Sequence, residues 1–216
     1  MPFASDPAPL PARAQAMLDF WFGPPGDPGR EQHRPIWFNG PPEFDREIEQ
    51  LFLGDYEAAA ASRLAEWEEE PQTALALLLL LDQVPRNIFR GLPRAYDTDA
   101  AARAVADRAL ARGFDHVVPA AWRLFFYMPF HHSEDLADQR RAESLSARWR
   151  AERGAGEHGD GANRRYGMPY PEVIARFGRF PHRNAILGRE STQAELTFLA
   201  ECDQRRRSAA EQGTGK

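Results

Sequence analysis

Eight apolar residues in a row, Ala74 to Leu81, constrain this chain more than any other stretch. The run has no polar face, and a helix that is apolar all round has to be buried all round. It is too short to cross a bilayer, which needs ~20 apolar residues. It therefore predicts a core helix over residues 72 to 84, at the centre of the fold. Immediately after it the chain turns polar, with Asp82, Gln83, Arg86, Asn87 and Arg90. Some of these groups must start inside the protein, and buried charge is costly unless it is paired.

The rest of the chain reads as helices around that centre. Met17, Leu18, Trp21 and Phe22 sit at helical spacing, between Pro11 and the stop at Gly23-Pro24-Pro25. Phe44, Ile48, Leu51 and Phe52 give the apolar face of a second long helix, from Pro42 to Ser62. Thr98 is expected to cap a helix from Asp99 to Arg112, with Gly113 as its stop. Another helix starts at Pro119 and breaks at Pro129. Ser133 is expected to cap a long helix running to about Gly154. Thr192 and Glu195 form a capping box for a last helix to about Glu201. No strand alternation appears, so the fold class is all-α.

With 216 residues, one core is the expectation. The domain is placed at residues 11–202, with a loop at 151–168. Residues 1–10 are expected to be a flexible N-terminus, and 203–216 a disordered tail. The net charge of −5 excludes wholesale phosphate binding, so no nucleic-acid partner is expected. The single cysteine, Cys202, excludes an intrachain disulfide and fits a reducing compartment. No secretory h-region and no membrane span appear, so the expected location is cytoplasmic.

Charge also turns inward on the helix after Ser133. Its apolar stripe, Ala142, Leu145 and Trp149, runs back through Asp138 and Asp135 at 100° per residue. Tyr127, His131 and His132 precede it. An inward acid needs an inward base, and Arg86 or Arg90 is the expected partner. A second polar knot, RFPHRN, brings Arg179, His182, Arg183 and Asn184. It echoes VPRN at residues 84–87, as an apolar residue, a proline and then Arg-Asn. The two turns are expected to meet at one pocket.

Three motifs carry a family resemblance: LDQVPRNIFRG, YMPFHHSEDLADQ at residues 127–139 and RFGRFPHRNAILGRES at residues 176–191. With DFWFG at residues 19–23, they resemble an uncharacterised bacterial domain-of-unknown-function family. The resemblance spans roughly residues 15 to 200 and does not extend to the loop at 151–168. It implies an all-helical, tetratricopeptide-like array in one compact domain, and it implies no catalytic roles. No 34-residue period accompanies it in this chain.

Two functions follow as expectations. The first is a small-molecule site for an anionic ligand, since arginine forks suit carboxylate and phosphate. Its candidate residues are Asp82, Arg86, Asn87, Arg90, Tyr127, His131, His132, Asp135, Asp138, Arg179, His182, Arg183 and Asn184. Whether such a site also hydrolyses its ligand is open, and a His–acid pair would serve general acid–base work. The second is an adaptor whose concave face takes a peptide or a protein helix. A purely structural polar network is the remaining alternative. No tight ligand spacing such as HExxH is present, so no metal and no cofactor are expected.

Overall fold

The computed structural model describes residues 10–153 and 166–213, with side chains to residue 208. Every regular element among these residues is helical. In order they are α1 (Ala12–Phe22), α2 (Ile36–Asn39), α3 (Pro42–Ala60), α4 (Pro71–Leu78), α5 (Val84–Ile88), α6 (Asp99–Ala111), α7 (Leu124–His131), α8 (Leu136–Arg153), α9 (Tyr170–Phe177) and α10 (Gln193–Gly213). The expected flexible N-terminus, apart from Leu10, and most of the expected loop lie outside the described residues. Among the described residues no helix is long and apolar enough to cross a membrane.

The apolar run lies where its composition demands. α4 packs against α1, α6 and α7, while α5 packs on α3. Leu75 and Leu78 to Leu80 are fully buried, and Leu77 and Leu81 nearly so. Aromatic side chains close the core beside it: Phe22 stacks on Trp122 at 4.2 Å between ring centroids. A second, smaller apolar cluster forms from Tyr166, Val173, Ile174, Phe180, Phe198 and Cys202. α9 enters it and stops at Gly178, whose left-handed φ of 68° lets its N–H return to the Ile174 carbonyl.

Between α4 and α5 the helix does not end but widens. Leu79 to Gln83 form a π-turn, in which the Val84 N–H reaches the Leu79 carbonyl. Pro85 supplies the reason. It has no N–H to offer the Leu81 carbonyl one turn back, and its ring would clash there in a regular helix. Side chains take over the carbonyls of this stretch. Thr98 Oγ1 donates to Leu81 O at 2.6 Å, Arg86 Nη1 to Asp82 O at 2.6 Å, and Asn87 Nδ2 to Gln83 O at 2.9 Å. Thr98 therefore stands before α6 without capping it by its side chain, contrary to the capping expectation.

Other boundaries differ from the sequence reading. α7 starts at Leu124 and runs through Pro129 to His131. α8 starts at Leu136, and Asp135 takes the capping position by accepting the Ala137 N–H at 2.7 Å. Ser133 sits two residues earlier and accepts the Asp135 N–H at 3.1 Å. α10 continues to Gly213, past the expected end at Glu201 and into the expected disordered tail. Residues 203–212 contain only acceptable to strong helix formers and no Gly or Pro, which accounts for the extension. The Thr192–Glu195 capping box forms as expected, with reciprocal bonds of 2.8 and 3.2 Å.

Candidate functional site

Asp82 sits on the π-turn with its side chain 2% exposed. Its Oδ1 is 2.7 Å from His132 Nδ1, and its Oδ2 accepts from Gln83 Nε2 at 2.6 Å. Arg86, one turn on, approaches Asp82 Oδ1 at 3.3 Å and Asp99 Oδ1 at 2.8 Å. Arg183 arrives from the turn after α9. Its Nη1 lies 3.5 Å from Asp99 Oδ2, and its Nη2 donates to the His132 carbonyl at 2.9 Å. Its guanidinium lies over the Tyr96 ring on one contact (4.6 Å) and the Phe180 ring on another (4.8 Å). The π-turn, α5, α6, the end of α7 and the Pro181–Arg183 turn thus meet at one buried polar cluster.

The electrostatics assign the protons. Burial opposes the charge on Asp82, but the approach of His132 and Arg86 and the bonds from His132 and Gln83 outweigh it. Its carboxyl is held down at about 2, so it is ionised near neutral pH. A carboxylate only accepts, so His132 Nδ1 carries the hydrogen and Nε2 the lone pair. Burial first, then Arg86, push the His132 imidazole below its ordinary range, although Asp82 pulls the other way. Nε2 has no hydrogen-bond partner among the described residues. A neutral histidine fixed by a buried aspartate, with its far nitrogen open, is the arrangement of a general base.

Arg183 is less well satisfied than Arg86. It is 8% exposed, and its pair with Asp99 is longer than the 2.7–2.9 Å of a charge-assisted bond. Its Nε is buried without a partner among the described residues. Burial and then the neighbouring Arg86 lower the proton affinity of its guanidinium, against the pull of Asp99.

Of the expected site residues, Asp82, Arg86, His132 and Arg183 come together, and Asn87 supports them by capping Gln83. The expected pairing of Asp135 or Asp138 with Arg86 or Arg90 does not form. Asp135 is exposed and caps α8. Asp138 accepts from Ser133 Oγ at 2.6 Å and faces Arg103 Nε at 3.4 Å. Asp135 does not continue the apolar stripe, because α8 begins at Leu136 and Asp135 lies off its helical register. Arg90 is 64% exposed and holds Asp45 at 2.8 Å. Tyr127 donates to Asp115 at 2.8 Å, and His131 Nε2 is 2.8 Å from Ser146 Oγ. His182 hydrogen-bonds Tyr166 in the smaller apolar cluster, and Arg179 clasps Glu195 at 2.7 and 2.8 Å. Asn184 accepts from Arg189 Nε at 3.0 Å, and Arg189 in turn holds Glu134 at 2.6 and 2.9 Å.

Asp99, Gln83 and Tyr96 were missed as members of the cluster. An acid at a helix start is explained by the dipole alone, so Asp99 gave no separate signal. Among the described residues no group of three or more His, Cys, Asp or Glu side chains is placed to hold a metal ion.

Comparison with known proteins agrees with the motifs. A bacterial family of proteins of unknown function, DUF924, matches residues 17–203. A solved structure of a protein of unknown function from Agrobacterium tumefaciens is 38% identical, with a TM-score of 0.72. The match covers 87% of this chain and 97% of that one. No curated protein matches. The cluster therefore lies within a fold shared with a solved bacterial protein, and the chain belongs to the DUF924 family.

Proposed function

We propose that the cluster of Asp82, His132, Arg86, Asp99 and Arg183 is a small-molecule site for an anionic ligand. His132 Nε2 takes a proton from the ligand, or from a water that attacks it. The second route would make the reaction a hydrolysis. The observation that carries this reading is the buried Asp82–His132 contact of 2.7 Å, which fixes one imidazole nitrogen and leaves the other available. A purely structural network has no need of an open base beside an under-satisfied arginine.

The test is a thermal-shift screen with phosphate, sulfate, nucleotides and small carboxylates, on the wild type and on Arg183→Lys and His132→Gln. A ligand for the site stabilises the native state by ~2.7 kcal/mol at a hundredfold excess over its dissociation constant. Both variants should lose most of that gain. A screen without any stabiliser retires the reading.

The tetratricopeptide-like array is our inference too. It is supported by successive packing, with α6 on α7, α7 on α8 and α8 on α9. An array of that kind would serve an adaptor through exposed aromatics in a long groove. Among the described residues Phe38 is the most exposed phenylalanine, tyrosine or tryptophan, at 36%, which favours the small-molecule reading.

A further inference from the structure

A count of formal charges narrows the ligand. Arg86 and Arg183 bring two positive charges, Asp82 and Asp99 two negative ones, and a neutral His132 none. The resting cluster is balanced. A further anion brought into this buried place would leave one charge unpaired, which is costly. One group can restore the balance without moving any other: His132, by taking up a proton at Nε2. We infer that the site binds a small organic carboxylate and one proton together, with the carboxylate against Arg183 and the proton on His132. This rests on the cluster being the ligand site, and with a simple carboxylate bound His132 Nε2 holds its proton and no longer acts as a base.

Each partner has the capacity for its role. Arg183 has one long ion pair and an unpartnered buried Nε, so its charge is the least compensated in the cluster. It can strengthen its bonding to a new carboxylate without first losing a short one. His132 already has Asp82 on Nδ1, so the imidazolium would be held by a carboxylate at 2.7 Å. The groups facing His132 are Asp82 from the π-turn, Arg86 from α5, Asp99 from α6 and Arg183 from the Pro181–Arg183 turn. Glu134, on its own segment, is occupied by Arg189. Burial and Arg86 now disfavour the imidazolium. An anion bound beside it opposes both effects and raises its proton affinity. A monoanion fits this balance. A dianion such as phosphate leaves one negative charge over.

The experiment is isothermal titration calorimetry of the full chain with acetate, propionate and pyruvate, and with phosphate and sulfate as dianion controls. Each is run at pH 7.5 in two buffers of different ionisation enthalpy. The imidazole signals of His132 are followed by NMR in parallel. The inference expects uptake of close to one proton per carboxylate, and affinity that falls about tenfold per pH unit above neutrality. His132→Gln should bind more weakly, without proton uptake and with a flat pH profile, and Arg183→Lys should bind at least tenfold more weakly. Carboxylate binding that shifts His132 signals with no proton uptake overturns the inference and leaves the site reading standing. Binding that leaves those signals unmoved overturns both, as does the absence of binding by all three carboxylates. Phosphate or sulfate binding more tightly than the carboxylates overturns the charge argument.

Discussion

The turns at residues 84–87 and 180–184 carry nearly the same letters, VPRN and FPHRN, and their arginines end on the same carboxylate, Asp99. They nevertheless do different things. In the first, Arg86 and Asn87 turn back on their own helix and satisfy carbonyls that the π-turn and Pro85 disturb. Arg86 also holds two carboxylates, with a good bond to Asp99. In the second, Asn184 orients Arg189 and only Arg183 reaches across, with a long pair and an unused nitrogen. The same dipeptide satisfies its own helix in one place and leaves a buried guanidinium nitrogen unpartnered in the other. Sequence similarity between two short turns therefore predicts where they meet, but not which of them is committed.

Substitution of the two arginines tests that difference most directly. Arg86→Met leaves the buried Asp82 short of a counter-charge, and removing one partner of a buried pair typically costs ~3–5 kcal/mol. Urea unfolding should show that loss, and a loss under ~1 kcal/mol would end the distinction between the turns.

Acid should separate the two regions next. The folded pKa of Asp82, about 2, lies below its ordinary value of 3.8, so the unfolded chain binds the proton first. The carboxylate's contribution, ~2 kcal/mol at ~1.4 kcal/mol per pH unit, is present above about pH 4 and fades as pH falls towards 2. His132 has the same sign. Its folded affinity for the proton is lowered, so stability also declines as pH falls below its unfolded value. Asp82→Asn should flatten the acid limb of a stability–pH curve. An unchanged limb would show that the acid sensitivity arises elsewhere, for example at Glu195, which Arg179 holds at about 2.

Arg183→Met should cost less, ~1–2 kcal/mol, because its ion pair is long and a buried cation is removed with it. Its larger effect should be on ligand stabilisation in the thermal-shift screen. Equal destabilisation by Arg183→Met and Arg86→Met would make the cluster one structural network. Arg90→Ala is the smallest of the series. An exposed pair such as Arg90–Asp45 contributes ~0–1 kcal/mol, so the midpoint should barely move.

Much of the architecture could be read from residues alone. An unbroken apolar run admits only one environment, and the burial of Leu75 to Leu81 follows from it. The convergence of Arg86, His132 and Arg183 was legible because buried helix ends and proline-led turns concentrate polar groups. Two things were not. Helical phase cannot be extended beyond a helix start that the sequence does not mark, which is why Asp135 was assigned inward and lies outside. Asp99 and Thr98 each had an ordinary local explanation at a helix start. Their actual partners, Arg86 and the Leu81 carbonyl, come from an irregular turn whose geometry no periodicity encodes.

That irregular turn makes the cluster a matter of chain length. A π-turn holds one residue more than the α-turn it replaces. The extra residue is absorbed within that one wide turn, so α4 and α5 keep nearly the phase of a single continuous helix. What the extra residue changes is the carbonyl pattern, and Thr98, Arg86 and Asn87 reach the Leu81, Asp82 and Gln83 carbonyls with their side chains. In this protein the number of residues in the turn matters as much as their chemistry.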